Sequence, residues 1–404
     1  MKILVFSQYF YPENFRINTI CTELVQRGHT VTVVTAYPQY PIGRLYDGYG
    51  FHIPYEKEWN GVRIERVKTY PRGKGPLKLL RNCTSYVTSA EAWVKRCEEK
   101  YDAVFVFETS PVTVGLPAVA YKKKFGTPVY FYLQDLWPEC VHEVLGIRIA
   151  PLTWLINRIV DKIYTNSDKI LCTSRGYISH LAKQGVPEQK LVFWPQFCLT
   201  PSFAGVEKPE IYSEDTFNIA FTGNIGDAQG LDLVVDAAKA LRGEGVRWYL
   251  VGDGRAKERI VQKVADNGLE EDVVFVGRVS EQEANRYVHY AHSAYLSFQD
   301  NPLFNLIIPA KLQTYLACGT PIIAAANGET AQLVTASGSG IAVKPEIAAL
   351  VDGVKKMANL SSQDRRRMGE AAQRYSQEHF DKDALLDQLE QLMFPTQSVS
   401  DSES

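Results

Sequence analysis

The chain has 404 residues, is 45% hydrophobic and 22% charged, and sets 44 Lys and Arg against 46 Asp and Glu. That length suits two domains of about 200 residues. The near-neutral balance argues against a general polyanion binder, nucleic acid included, and no apolar run reaches the ~18 residues of a membrane-spanning helix. Residues 1–200 carry 25 Lys and Arg against 17 Asp and Glu, and the remainder 19 against 29, so one half is suited to an anionic partner.

In chain order, the opening Lys2–Ser7 is short, apolar and without a cleavage site, and reads as a buried strand rather than a leader. Asn14–Arg27 follows as a helix with Ile17, Ile20, Cys21, Leu24 and Val25 on one face, stopped by Gly28. Further strands are expected at Thr30–Thr35, Val62–Val67, Ala103–Phe107, Val129–Leu133 and Ile170–Thr173. Residues 63–81 hold Arg63, Arg66, Lys68, Arg72, Lys74, Lys78 and Arg81 against the single acid Glu65. The helix after them carries Leu79, Leu80, Cys83, Val87, Ala90, Val94 and Cys97 as an apolar stripe. Such a basic stretch is either a solvated face or a contact to an anionic leaflet, where each cation gains roughly 1 kcal/mol.

After the Pro- and Gly-containing segment Thr200–Asp215, the alternation restarts. Strands are expected at Phe217–Thr222, Val246–Val251, Val273–Val276, Ala294–Ser297, Pro321–Ala325 and Ile341–Val343, with helices between. Alternating strands and helices predict an α/β fold of two doubly wound parallel sheets, which bind ligands at the carboxyl ends of their strands. The expected domains are 1–199 and 216–375. A helix over 376–394 is expected to return to the first domain, and 395–404 to be a disordered tail.

Candidate site residues lie just after strands. Thr222-Gly223-Asn224-Ile225-Gly226 leaves a strand toward a helix, an arrangement that fits either a phosphate cradle or an ordinary αβ turn. Gly252-Asp253-Gly254 and Gly277-Arg278-Val279 end the next two strands. Lys311, in the first turn of a helix opened by Pro309, opposes the helix dipole unless an anion sits there. In the first half, Gln134, Asp135 and Glu139 follow a strand and are placed to face a ligand, or Asp135 serves as a helix cap. His289 and His292 complete no metal pattern, and the seven scattered cysteines read as free thiols of a reducing compartment.

In this order, Ser7-Gln8-Tyr9-Phe10-Tyr11-Pro12-Glu13-Asn14, Arg27-Gly28-His29, Gln134-Asp135-Leu136-Trp137-Pro138-Glu139, Thr222-Gly223-Asn224-Ile225-Gly226, Gly252-Asp253-Gly254 and Lys311 through Gly319 resemble the family 4 retaining glycosyltransferases of GT-B fold. The similarity is strongest to bacterial surface-polysaccharide transferases of the N-acetyl-fucosamine type. The resemblance implies two Rossmann-like domains facing across a cleft and a retaining, metal-independent transfer without cofactor. The donor is a nucleotide sugar, UDP favoured. The acceptor is a saccharide or polyprenyl-diphosphate-linked saccharide of O-antigen, capsule or lipopolysaccharide synthesis. The setting implied is cytoplasmic, peripheral to the inner face of the membrane.

The chain departs from the family pattern in four places. Phe15-Arg16 replace paired glycines, Asn224 and Gln229 replace donor-binding cations, Leu306 and Thr314 replace a glutamate pair, and Gln134 replaces a histidine. The expected roles are therefore Asp135, Glu13, Glu139 and Lys311 in catalysis, and Gly223, Asn224, Arg278 and Lys311 on the diphosphate. Gly252, Gly254, Gly277, Val279 and Thr314 are expected on the nucleoside, Asn305, Leu306 and Ile307 on the sugar, and Arg16, Arg72, Lys74, Lys78 and Arg81 on acceptor or membrane. A sugar-nucleotide 2-epimerase of the same fold, a non-catalytic nucleotide-sugar-binding protein and an NAD-dependent oxidoreductase are the alternatives. For the last, the third glycine of the fingerprint is missing.

Overall fold

A computed structural model describes residues 1–73, 75–145 and 149–395. The chain divides into two compact units: Met1–Thr173 with Tyr177–Trp194 and the stretch from Leu386 onward, and Ser174–Gly176 with Pro195–Leu385.

The first unit is built on eight strands: β1 Lys2–Phe6, β2 Thr30–Thr35, β3 Glu58–Trp59, β4 Val62–Arg66, β5 Ala103–Glu108, β6 Val129–Leu133, β7 Lys169–Cys172 and β8 Leu191–Phe193. Their order is β3-β4-β2-β1-β5-β6-β7-β8, parallel apart from the two-residue β3, which pairs antiparallel with β4. β1, β5 and β6 are buried along nearly their whole length, as apolar strands covered on both faces must be. The strand order reverses between β1 and β5, so the loops after these two strands flank the crevice where such sheets bind ligands.

The second unit holds β9 Phe217–Asn224, β10 Val246–Asp253, β11 Val273–Gly277, β12 Ser293–Ser297, β13 Ile322–Ala325 and β14 Gly340–Val343. Their order, β11-β10-β9-β12-β13-β14, is that of a dinucleotide-type sheet, with its reversal between β9 and β12. All twelve expected strands are present in these two Rossmann-like α/β units. The short edge strands β3 and β8 were not foreseen, because two or three residues carry no period.

The helix Pro76–Arg96 buries the expected Ala90 and Val94, but over its first turns it sets other residues inward than the expected stripe. Asn82, Tyr86, Ala90 and Val94 are in the core, while Leu80 is 60% exposed. The Tyr86 hydroxyl donates to the Val34 carbonyl and Asn82 binds the Tyr70 carbonyl and Gln8, so polar residues with partners take the inward face. The last helix, Lys382–Met393, reaches the first unit. Glu390 receives hydrogen bonds from Arg27 and His29, and Tyr130 donates to the Leu392 carbonyl.

Candidate functional site

In the second unit, the helix Ala310–Cys318 is pinned to the end of β9. The Tyr315 hydroxyl accepts from the Thr222 backbone N–H at 2.8 Å. Lys311 lies one turn earlier on the same helix face, which brings its ammonium over Phe221, 4.1 Å from the ring centroid. A side chain at Gly223 would begin 3.7 Å from Lys311 Nζ. That nitrogen is shut off from solvent and finds no hydrogen-bond partner among the described residues. Burial pushes its pKa down to about 7. A cation placed this way is costly until an anion meets it.

The expected phosphate cradle at a helix start is corrected. Gly223 and Asn224 belong to β9 and pair with Gly252 and Asp253 of β10; the helix begins only at Asp232. Asp232 carries the carboxylate of that first turn and is paired with Arg259, and Asp227 is paired with Arg255 and Arg259. An acid at the helix start repels a phosphate. Gly252 has φ +146, and a Cβ there would sit 1.9 Å from the Gly223 carbonyl oxygen, so its glycine answers to neighbouring backbone whether or not a nucleoside binds. Gly254 is likewise crowded by the Ile225 carbonyl.

Arg278 is exposed beyond Gly277, at the end of edge strand β11, and no contact brings it to Lys311. Val279 packs against the Tyr212 and Tyr249 cluster. Thr314 bonds back to the Ala310 carbonyl. Asn305 and Leu306 form a short turn with Phe304; the Asn305 carbonyl crowds Gly328 and the Ile307 carbonyl accepts from Thr330, which fixes the backbone of all three expected sugar contacts. His289 stacks on Phe203, and the His292 Nδ1 accepts from the Asn218 N–H.

In the first unit, a hollow of about 220 Å³ is lined by Arg72, Cys83, Ser110, Asp135, Trp137 and Cys140, among others. Asp135 lies in the loop after β6; burial raises its carboxyl above the usual range, and the nearby Ser110 side chain partly offsets this. The Trp137 Nε1 is buried with no hydrogen-bond partner among the described residues. Arg72 also borders a second hollow of about 610 Å³ with Tyr9, Gln39 and Lys78, where its guanidinium bonds with Tyr9. Few convergent polar groups around apolar walls are what a small-molecule site needs.

The other expected catalytic acids do not line this hollow. Glu13 is buried and accepts from the backbone N–H groups of Gln39 and Tyr40, with burial raising its carboxyl to about 7; it braces a loop. Glu139 binds His180 at 2.8 Å and Gln184 at 2.9 Å. Burial raises the Glu139 pKa, but these partners outweigh it and leave the group below its ordinary value. Arg16 opens the first helix, within electrostatic reach of Tyr132 on β6.

The basic stretch is partly internal. Arg66 is buried and donates to the Ala36 and Tyr11 carbonyls, Arg63 pairs with Glu65 and Glu99, and Arg81 lies 3.6 Å over the Tyr70 ring. Lys78 is exposed, and Lys74 lies outside the described residues, as does 396–404 of the expected tail.

Sequence reasoning missed Glu108, Ser110 and Tyr315. The signal for Glu108 was present: an acid ends the otherwise apolar run Ala103–Glu108.

Residues 14–196 match the family described as glycosyl transferase 4-like domain, and residues 216–359 the glycosyl transferases group 1. WcaI of Escherichia coli (strain K12), named for glycosyl transfer in colanic acid biosynthesis, is 25% identical over 96% of this chain and 98% of its own length. Among solved structures, sucrose-phosphate synthase of Thermosynechococcus elongatus superposes with a TM-score of 0.75 at 18% identity, covering 97% of this chain and 98% of that one. HepE of Anabaena, solved in complex with UDP, gives 0.69 at 15% identity over 97% and 99%. With a 4-like glycosyl transferase domain in its first unit and a group 1 domain in its second, this chain belongs among the glycosyltransferases of GT-B fold.

Proposed function

We propose that the chain moves a sugar, with retention, from a nucleotide-diphosphate sugar held by the second unit to a saccharide or polyprenyl-diphosphate-linked saccharide held by the first. UDP is the favoured nucleotide, in keeping with the UDP bound by HepE. Surface-polysaccharide synthesis is the favoured setting, in keeping with the name of WcaI.

The observation that carries this reading is the buried, unpartnered ammonium of Lys311 beside Gly223. When the glycosidic bond breaks, negative charge grows on the departing diphosphate, and a fixed cation in a dry site stabilises that charge more than it stabilises the ground state. Lys311 takes that role, and Asp135, at the wall of the smaller hollow, positions the acceptor hydroxyl and takes up its proton. Trp137 and Arg72 are the side chains best placed to hold the acceptor. The charge work falls to Lys311, so turnover is expected to survive a chelator.

The membrane reading is narrower than the basic stretch suggested. Leu77 is 81% exposed and Leu80 60%, and with Lys78 and Arg81 they give the start of one helix both apolar and cationic side chains for an anionic leaflet. No helix among the described residues is long and apolar enough to cross a membrane.

The test is sugar transfer by Lys311→Ala and Asp135→Ala with UDP-, GDP- and dTDP-sugars and a polyprenyl-diphosphate-linked acceptor. Wild-type turnover by both variants sinks the assignment.

A further inference from the structure

We infer that Glu108 is a positioning residue for Asp135: from the end of β5 its buried carboxyl gathers the backbone N–H groups of Ser110, Gln134 and Asp135, and so fixes the loop that sets Asp135 at the wall of the smaller hollow. The inference rests on the acceptor role proposed for Asp135.

The geometry is specific. Ser110 N–H reaches one carboxyl oxygen at 3.1 Å, and Gln134 and Asp135 N–H reach the other at 3.0 and 2.9 Å. Glu108 pairs with Leu133 across the β5–β6 ladder, so one side chain ties together the loops leaving two adjacent strands. The Ser110 side chain in turn lies close enough to Asp135 to favour its ionised form. Backbone donors at strand ends must find partners when buried, and an amide or hydroxyl in place of the carboxyl has only one acceptor oxygen for three donors. Glu108 has no exposed surface. An acid at such a position is expensive, and these three donors are what it gains.

The surroundings add a second property. Asp135, Cys140, Tyr164 and Tyr177, from the loop after β6 and from three helices, are the titratable groups that feel Glu108, and none is a cation. Burial first, then the Asp135 charge, pushes the Glu108 carboxyl up to about 8. Ionisation of Glu108 therefore sets a second negative charge beside that of Asp135 against one loop.

The experiment compares the full wild-type chain with Glu108→Gln, Ser110→Ala and Asp135→Asn. It follows transfer from the nucleotide-sugar panel to the polyprenyl-diphosphate-linked acceptor, and pH-difference infrared spectra of protonated carboxyl groups. Glu108→Gln keeps the side-chain shape with one acceptor oxygen and no titrating proton. It is expected to lower kcat at least about ten-fold with donor KM unchanged, and to lose an infrared transition near 8. Ser110→Ala is expected to show the same split between kcat and KM. Wild-type kcat in Glu108→Gln, or persistence of its infrared transition, overturns the inference. If that variant does not fold, the wild-type spectrum and Ser110→Ala decide: no carboxyl titrating near 8, or an unchanged kcat, overturns it. Asp135→Asn separates the two levels: full turnover there removes the acceptor reading itself, whereas loss there with an unaffected Glu108→Gln removes only the role of Glu108.

Discussion

At the strand reversal of the second unit, a lysine is buried with no acid beside it among the described residues; at that of the first, Glu108 is buried with no cation among the groups that act on it, and Asp135 shares its hollow with Arg72. Both arrangements are unfavourable in the empty protein, but they ask for different remedies. The Lys311 ammonium has no local partner to recruit among the described residues and is relieved by losing its proton or by an incoming anion. Glu108 is relieved by keeping its proton or by the three backbone N–H groups that it gathers. One unit is therefore built to receive charge and the other to handle a proton. The other acids expected in catalysis, Glu13 and Glu139, are occupied elsewhere.

The sharpest way to break this comparison is to remove the lone cation. Lys311→Met is expected to lower kcat/KM by about 10²–10³ while raising the melting temperature of the ligand-free chain, because an unpaired buried charge is gone. The pH dependence has a definite sign. The folded-state pKa of Lys311 lies below the unfolded one, so between about 7 and 10 the unfolded chain binds more protons, and this residue makes stability rise with pH. Lys311→Met is expected to flatten that slope in urea titrations. Binding a nucleotide diphosphate restores the charge, so calorimetry near pH 8 in two buffers of different ionisation enthalpy should report proton uptake. No uptake would detach Lys311 from the diphosphate.

Removing the acid at the smaller hollow comes next. Asp135→Asn is expected to lower kcat about 10²-fold or more and leave donor affinity unchanged; a matching loss of donor affinity would blur the division between the units. A smaller effect sorts the glycines. Gly252→Ala is expected to cost about 3 kcal/mol in urea unfolding, since its Cβ would strike the Gly223 carbonyl. Gly277→Ala, with φ +90 but open space around it, should cost about 1 kcal/mol. Equal costs would remove the packing explanation for Gly252. The smallest expected change is in lipid binding: Leu80→Asp should weaken co-sedimentation with anionic vesicles a few-fold without changing turnover of a soluble acceptor.

The sheets were legible because buried parallel strands are continuous apolar runs and their breaks are glycine- and proline-marked. Lys311 was legible for a physical reason as well, since a cation in the first turn of a helix is out of place. What stayed hidden depends on contacts distant in sequence. Nothing near Glu139 announces that His180 will hold it, and nothing in residues 63–81 distinguishes Arg66, which turns inward to two carbonyls, from Lys78, which does not. The loop after β9 misled for a related reason: glycines that let a backbone approach a phosphate equally let it approach another strand, and only the register with β10 separates the two.

The return of the final helix to the first unit has a consequence for synthesis. Arg27, His29 and Tyr130 are made early, but their partners on the helix Lys382–Met393 follow the whole second unit in chain order. The first unit therefore stays unfinished until the second has been made, and a chain cut short after Leu385 would leave a flaw in the part that was made first.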